Sequence, residues 1–105
     1  MKYGLKESVL GSIIDVFARY PKIDKVLLYG SRVKGNYKKG SDIDLALVGE
    51  DINIQDLHKI LLELDELYLP YGFDLVIFEK IKNEDLVGHI NRLGTAIYQK
   101  ATHCK

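Results

Sequence analysis

The chain has 105 residues, 47% hydrophobic and 29% charged, with 9 Gly and 2 Pro. That length suits one domain spanning residues 1–105 and no second independent core, and the composition excludes disorder as the main state. Lys and Arg number 15, as do Asp and Glu, for a formal net charge of +0; this excludes a stable nucleic-acid track held mainly by phosphate contacts, so any phosphate chemistry must come from a local cluster.

A neutral chain lacks the self-repulsion that keeps monomers apart, so a homo- or hetero-oligomer is expected. The one cysteine, Cys104, allows no intramolecular disulfide and no cysteine-based zinc site, which fits a reducing cytoplasm. The N-terminal stretch has neither the apolar core nor the cleavage site of a signal peptide, and no window approaches the roughly 18 apolar residues of a membrane span.

Leu5 to about Arg19 reads as a helix, with Val9, Ile13, Val16 and Tyr20 at helical spacing and Leu10, Ile14 and Phe17 widening the apolar face. Pro21 ends it. Lys25 to Tyr29 is an apolar run of strand length. Gly30-Ser31 breaks it, with Ser31 placed to cap a short turn over Arg32, Val33 and Lys34. Gly35 to Ser41 has loop composition. Asp42 to Val48 reads as a second strand. A helix over about Ile54 to Tyr68 carries Ile54, Leu57, Leu61, Leu64 and Tyr68 as a stripe. Pro70-Tyr71-Gly72 is a turn, and Phe73 to Phe78 a third strand. Asn83 reads as the N-cap of a helix carrying Leu86, Ile90 and Leu93 and stopped by Gly94. Thr95 to Gln99 adds a last strand. The class is α+β: a small mixed sheet covered by helices.

Four features bear on chemistry. Gly30-Ser31 stands at a strand-to-helix junction, where free backbone amides and a serine hydroxyl suit an anion such as phosphate; the plain alternative is a capped turn. Arg32, Lys34, Lys38 and Lys39 fall within ten residues that contain no acid. They form a charge island able to neutralise a polyphosphate, or else an ordinary solvated loop. Asp42-Ile43-Asp44 puts two carboxylates on one strand face, with Cα atoms about 6.6 Å apart, while Ile43, Leu45 and Leu47 face the other way. Two such carboxylates repel unless a cation lies between them, and an oxygen-only set favours magnesium or manganese; the plain alternative is a solvated acid pair. Asp74 lies inside an apolar strand, poorly placed for a solvated edge, so it is either ion-paired or a third ligand if its strand lies beside the second.

Other polar and aromatic residues read more plainly. His58 and His89 have no partner at metal-ligand spacing and read as surface or packing residues. His103 and Cys104 belong to the tail. Tyr3, Tyr20, Tyr68 and Tyr98 read as core-edge residues. Tyr29 and Tyr37 flank the proposed site, where Tyr37 either stacks on a base or covers a neighbour.

Gly30, Ser31, Gly35, Ser41, Asp42 and Asp44 together have the spacing Gly-Ser-x3-Gly-x5-Ser-Asp-x-Asp. With the later Asp74 and the order of elements, this resembles the nucleotidyltransferase superfamily with the DNA polymerase beta type of fold, and within it the minimal nucleotidyltransferases. The resemblance implies that Gly30 and Ser31, helped by Arg32, Lys34 and Ser41, hold a nucleoside triphosphate, ATP as co-substrate. It implies that Asp42, Asp44 and Asp74 bind two Mg2+ (or Mn2+) ions and carry catalysis. It further implies transfer of AMP to a hydroxyl. Minimal members are similar in being paired with HEPN proteins as antitoxin and toxin, so the expected acceptor is a tyrosine of a HEPN-family partner. Two alternatives stand beside this: a small-molecule nucleotidyltransferase acting as an oligomer, and a non-catalytic docking module.

Overall fold

The computed structural model describes residues 3–38 and 40–100. In chain order it runs α1 (Glu7–Ala18), β1 (Ile23–Tyr29), α2 (Ser31–Lys34), β2 (Ile43–Gly49), α3 (Ile54–Asp65), β3 (Phe73–Ile77), a 3-10 turn (Phe78–Lys80), α4 (Glu84–Leu93) and β4 (Thr95–Gln99). The strands form one sheet in the order β3-β2-β1-β4. β1 pairs antiparallel with β2 and with β4, while β2 and β3 are parallel. A parallel pair needs a crossover, and α3 supplies it. The expected α+β class and order of elements are found.

The apolar period of each element explains the layers. Leu10, Ile13, Val16 and Phe17 of α1 and Leu57, Ile60 and Leu64 of α3 pack against Val26, Leu28, Ile43, Leu45 and Leu47 of the sheet in one core. The opposite sheet face carries a smaller cluster of Tyr29, Ala46 and Ile90, with Leu27, Val76, Phe78, Ile81 and Leu86 partly buried around it. α3 begins with a reciprocal cap: the Asn53 side chain accepts from the Asp56 amide, and the Asp56 carboxylate accepts from the Asn53 amide.

Boundaries differ from expectation for local reasons. α1 starts at Glu7 rather than Leu5, because Tyr3 and Gly4 both have left-handed φ and Leu5 drops into the core from that turn. β2 starts at Ile43, with Asp42 just ahead of it. β3 ends at Ile77, since Phe78 opens the 3-10 turn. α3 stops at Asp65; Tyr68 has φ +54° and is 89% exposed, so it is not a core-edge residue. The inward stripe of α3 runs through Leu57, Ile60 and Leu64, and Ile54 is exposed. Tyr3, Tyr20 and Tyr98 do pack, partly buried, against the main core. Among the described residues no helix is long and apolar enough to cross a membrane. Lys39, His103 and Cys104 lie outside the described residues.

Candidate functional site

Strand register assembles the site. Tyr29 of β1 is the Cα partner of Asp44 of β2, and Asp44 is the partner of Asp74 of β3. Register partners on neighbouring strands, about 4.8 Å apart, point to the same face. Tyr29, Asp44 and Asp74 therefore form one row across three strands, on the face covered by α4. Asp42, two residues before Asp44, shares that face. Ile43, Leu45 and Leu47 turn into the opposite core, as their alternation requires.

Two glycines let backbone approach these carboxylates. Gly30 has φ +82° and ψ −150°, a conformation open to glycine. A Cβ on it would collide with Asp44 Oδ2, so the carboxylate lies directly against the Gly30 backbone. A Cβ on Gly72 would stand 2.6 Å from Asp42 Oδ1. The amide of Ile43 donates to the Gly72 carbonyl at 2.9 Å, which ties the turn before β3 to the start of β2.

Burial grades along the cluster. Asp44 is half-buried, whereas Asp42 and Asp74 are exposed. Burial pushes the Asp44 carboxyl above the usual carboxylate range, and the charges of Asp74 and Asp42 push it the same way. The Arg32 charge pulls it back in part. Burial also raises the Tyr29 phenol to about 12, with Asp74 and Asp44 adding to the effect. The carboxylates thus share one electrostatic field. Asp74 is exposed because β3 is an edge strand, and among the described residues it has no ion-pair partner. This corrects the expectation that position 74 is ill-suited to a solvated edge.

The donor set can be tested against a divalent cation. It consists of carboxylate oxygens, the ligand type hard cations take. The mutual repulsion felt at Asp44 is what such a cation relieves. Yet among the described residues no three His, Cys, Asp or Glu side chains converge tightly enough to enclose an ion by themselves. The oxygen-only chemistry is that of a hard-cation site, while the three carboxylates do not form a closed one by themselves.

The glycine-serine corner differs from expectation in detail. Gly30 is the N-cap of α2 and Ser31 its first residue, with no side-chain cap bond. α2 is one turn, closed by bonds from the Lys34 and Gly35 amides to the Gly30 and Ser31 carbonyls. The first amides of such a turn have no intrahelical partner. Lys34 and Lys38 are exposed. Ser41 staples the loop: its hydroxyl accepts from the Lys38 amide at 2.7 Å, and its own amide donates to the Lys38 carbonyl.

Arg32 is placed quite differently from a solvent-facing phosphate ligand. It is 3% exposed, and its Nε and Nη2 donate to the Ser41 carbonyl at 3.2 and 2.7 Å. Nη1 donates to the Tyr3 carbonyl at 2.9 Å. The guanidinium lies near the rings of Tyr37 and Tyr71, at 5.2 and 4.8 Å from their centroids. Arg32 thus ties the N-terminal turn, the loop before β2 and the turn before β3 together behind Asp42. Tyr37 covers this cation, the neighbour-covering alternative.

His89, read from the sequence as a surface or packing residue, does pack, and it has a backbone partner the sequence did not suggest. Its Nε2 accepts a hydrogen bond from the Gly30 amide at 3.2 Å, and its ring meets Tyr29 edge-on at 6.1 Å. One signal was available: Leu86, His89 and Ile90 follow helical spacing, so His89 lies on the inward stripe of α4, whereas Leu93, expected on it, is 41% exposed. That this stripe meets Gly30, 59 residues away, is a tertiary fact no local pattern carries.

Comparison with known proteins bears on the same segment. The family described as "Polymerase beta, Nucleotidyltransferase" matches residues 11–103. No curated protein sequence matches the chain at a significant level. Among solved structures, a chain of a toxin-antitoxin complex with AMP-PNP superposes with a TM-score of 0.72 at 22% identity, covering 87% of this chain and 73% of that one. A chain of the toxin-antitoxin MntA-HepT gives 0.68 at 18% identity, covering 90% and 74%. A chain from the complex of tri-AMPylated Shewanella oneidensis HEPN toxin with MNT antitoxin also gives 0.68 at 18%, covering 91% and 74%. At these identities the likeness is one of fold.

Proposed function

Because the chain belongs to the polymerase beta nucleotidyltransferase family, we propose that it is a single catalytic domain that moves AMP from ATP to a tyrosine hydroxyl of a HEPN-family protein in the cytoplasm, as the antitoxin of a toxin-antitoxin pair. The acceptor hydroxyl gives its proton to water as its oxygen bonds the α-phosphorus, the α–β bridging P–O bond breaks, and pyrophosphate leaves. Asp42, Asp44 and Asp74 would hold Mg2+, which Mn2+ can replace; the bound metal supplies acidity to the attacking hydroxyl and neutralises charge on the departing phosphates. The residues of the chain position the reactants. The Ser31 hydroxyl and the open amides of α2 face the triphosphate, with Gly30 giving close backbone approach. Lys34 offsets phosphate charge. Arg32 and Ser41 act behind Asp42, holding the strand entrance rather than the nucleotide.

The row Tyr29-Asp44-Asp74, closed by Asp42 beside Gly30-Ser31, carries this reading. The partner class rests on the resemblance of the motif to minimal nucleotidyltransferases and on the shared fold with chains from toxin-antitoxin complexes, one of which contains an AMPylated HEPN toxin. Exposure of Asp42 and Asp74 supports an acceptor on another protein, since the cation side of the site is open to a large approaching surface. The test is incubation of the protein with ATP, Mg2+ and a HEPN-family protein, the first candidate being any such protein encoded next to it. Mass spectrometry should find added adenylyl groups on a partner tyrosine. Asp42→Ala or Asp44→Ala should lower the transfer rate by about 10²–10³-fold, the several kcal/mol a bound metal contributes to the transition state, without loss of fold. An unmodified partner, or full transfer by Asp44→Ala, overturns the proposal.

A further inference from the structure

His89 stands outside the motif, yet it touches the corner on which the motif turns. Gly30 has no side chain to fix its peptide, so hydrogen bonds must do so. Its carbonyl is held by the Lys34 amide at 3.1 Å, within α2. Its amide is held from α4, by His89 Nε2 at 3.2 Å. The Asp44 carboxylate, meanwhile, lies against the Gly30 backbone so closely that no side chain would fit between them. A part-buried amide needs an acceptor, since an unsatisfied buried donor costs about 1–3 kcal/mol, and the acceptor it finds sets the orientation of the glycine peptide. His89 is that acceptor. Its ring is set edge-on against Tyr29, the residue before Gly30, which fixes the direction of its lone pair.

We propose that His89 is a positioning residue: by holding the Gly30 amide it fixes the glycine backbone against which the Asp44 carboxylate packs, and so sets where the Asp44 oxygens meet the cation. The inference rests on the nucleotidyl-transfer reading for its purpose, and on the Gly30–Asp44 packing for its geometry. It requires a neutral imidazole with bare Nε2 and the proton on Nδ1.

Heteronuclear NMR on the unmodified protein should find that tautomer; a neutral ring protonated at Nε2 overturns the proposal without any variant. In His89→Leu the Gly30 amide resonance and the Asp44 carboxyl resonance should both move, whether or not nucleotide is present. His89→Gln, whose side-chain oxygen can reach the same amide, should return both. Calorimetry with a non-hydrolysable ATP analogue and Mg2+ should show affinity weakened about tenfold in His89→Leu, the scale of loss typical of groups that orient a metal ligand, and restored in His89→Gln. Unmoved Gly30 and Asp44 resonances in His89→Leu, or equal weakness of the Leu and Gln variants, overturn the assignment. Failure of the unmodified protein to bind the Mg2+-nucleotide, with the resonances moving as expected, overturns the transfer reading and leaves the Gly30 contact standing.

Discussion

One face of the sheet lies under α1 and α3, the other under α4 alone. The first joins 16 buried residues in a single cluster among the described residues; the second has three, Tyr29, Ala46 and Ile90. The contrast is sharpest within β2, where Ile43, Leu45 and Leu47 are fully buried on one side while Asp44, between them, is half-buried on the other. A period of two residues lets one strand serve both faces. The thick face supplies stability. The thin face tolerates carboxylates because water still reaches them, and leaves them open to a ligand. A second long helix over Asp42 and Asp74 would bury charges at a cost of several kcal/mol each.

Removing side chains from each face tests this division. Phe17→Ala, in the thick core, should lower the unfolding free energy by about 3–5 kcal/mol, a large share of the roughly 5–15 kcal/mol a domain has. Ile90→Ala, under α4, should cost about 2 kcal/mol, because the thin layer can close over the space. Urea titrations followed by circular dichroism give both values. A loss at Ile90 equal to that at Phe17 would break the comparison, since α4 would then carry as much of the fold as α1.

The next effect concerns the seam that holds the thin face in place. Arg32 joins the Tyr3 and Ser41 carbonyls and lies between Tyr37 and Tyr71. Arg32→Lys keeps the charge but cannot reach both carbonyls or lie flat between two rings. We expect a loss of about 1–2 kcal/mol and faster proteolysis between Gly35 and Ser41, with the α1 and α3 amides still protected from hydrogen exchange. Unchanged proteolysis would place the loop's order in the Ser41–Lys38 bonds instead.

The thick face was legible in the sequence because burial there follows local periods. Val9 to Phe17 and Leu57 to Leu64 announce their inward stripes, and Ile43-x-Leu45-x-Leu47 announces a strand face. The thin face was legible only where chemistry is written locally, as in Gly30-Ser31 and Asp42-x-Asp44. Asp74 was singled out correctly as a neighbour of that pair but for a wrong reason, since its strand is an edge and the residue is exposed. Arg32 drew attention as a free cation because a run of basic residues carries no sign of which one folds inward; that depends on Tyr3 and Tyr71, 29 residues before it and 39 after. His89 was read as a surface or packing residue, which its contact with Tyr29 bears out, but its partner, a backbone amide, leaves no trace in a sequence.

The smallest expected effect isolates the electrostatic cost of the thin face. Burial, with Asp74 and Asp42 adding to it, raises the Asp44 carboxyl in the folded protein. The native state then binds a proton more tightly than the unfolded chain does. As pH rises from the ordinary carboxylate range through the raised native value, the unfolded state holds fewer protons than the native one, so stability falls across that window. Above it, charged Asp44 subtracts a constant amount. Asp44→Asn removes the charge, so at pH 7 the variant should melt about 1–3 °C higher than the unmodified protein, the scale of a few tenths of a kcal/mol in a domain of this size. The gap should close as pH drops below about 4, where the native carboxyl is itself neutral. Added Mg2+ should close it from the other side, raising the melting temperature of the unmodified protein more than that of the variant. A gap unchanged by pH would mean that Asp44 feels hydrogen-bond geometry rather than its charged neighbours, and the row of carboxylates would lose its electrostatic meaning.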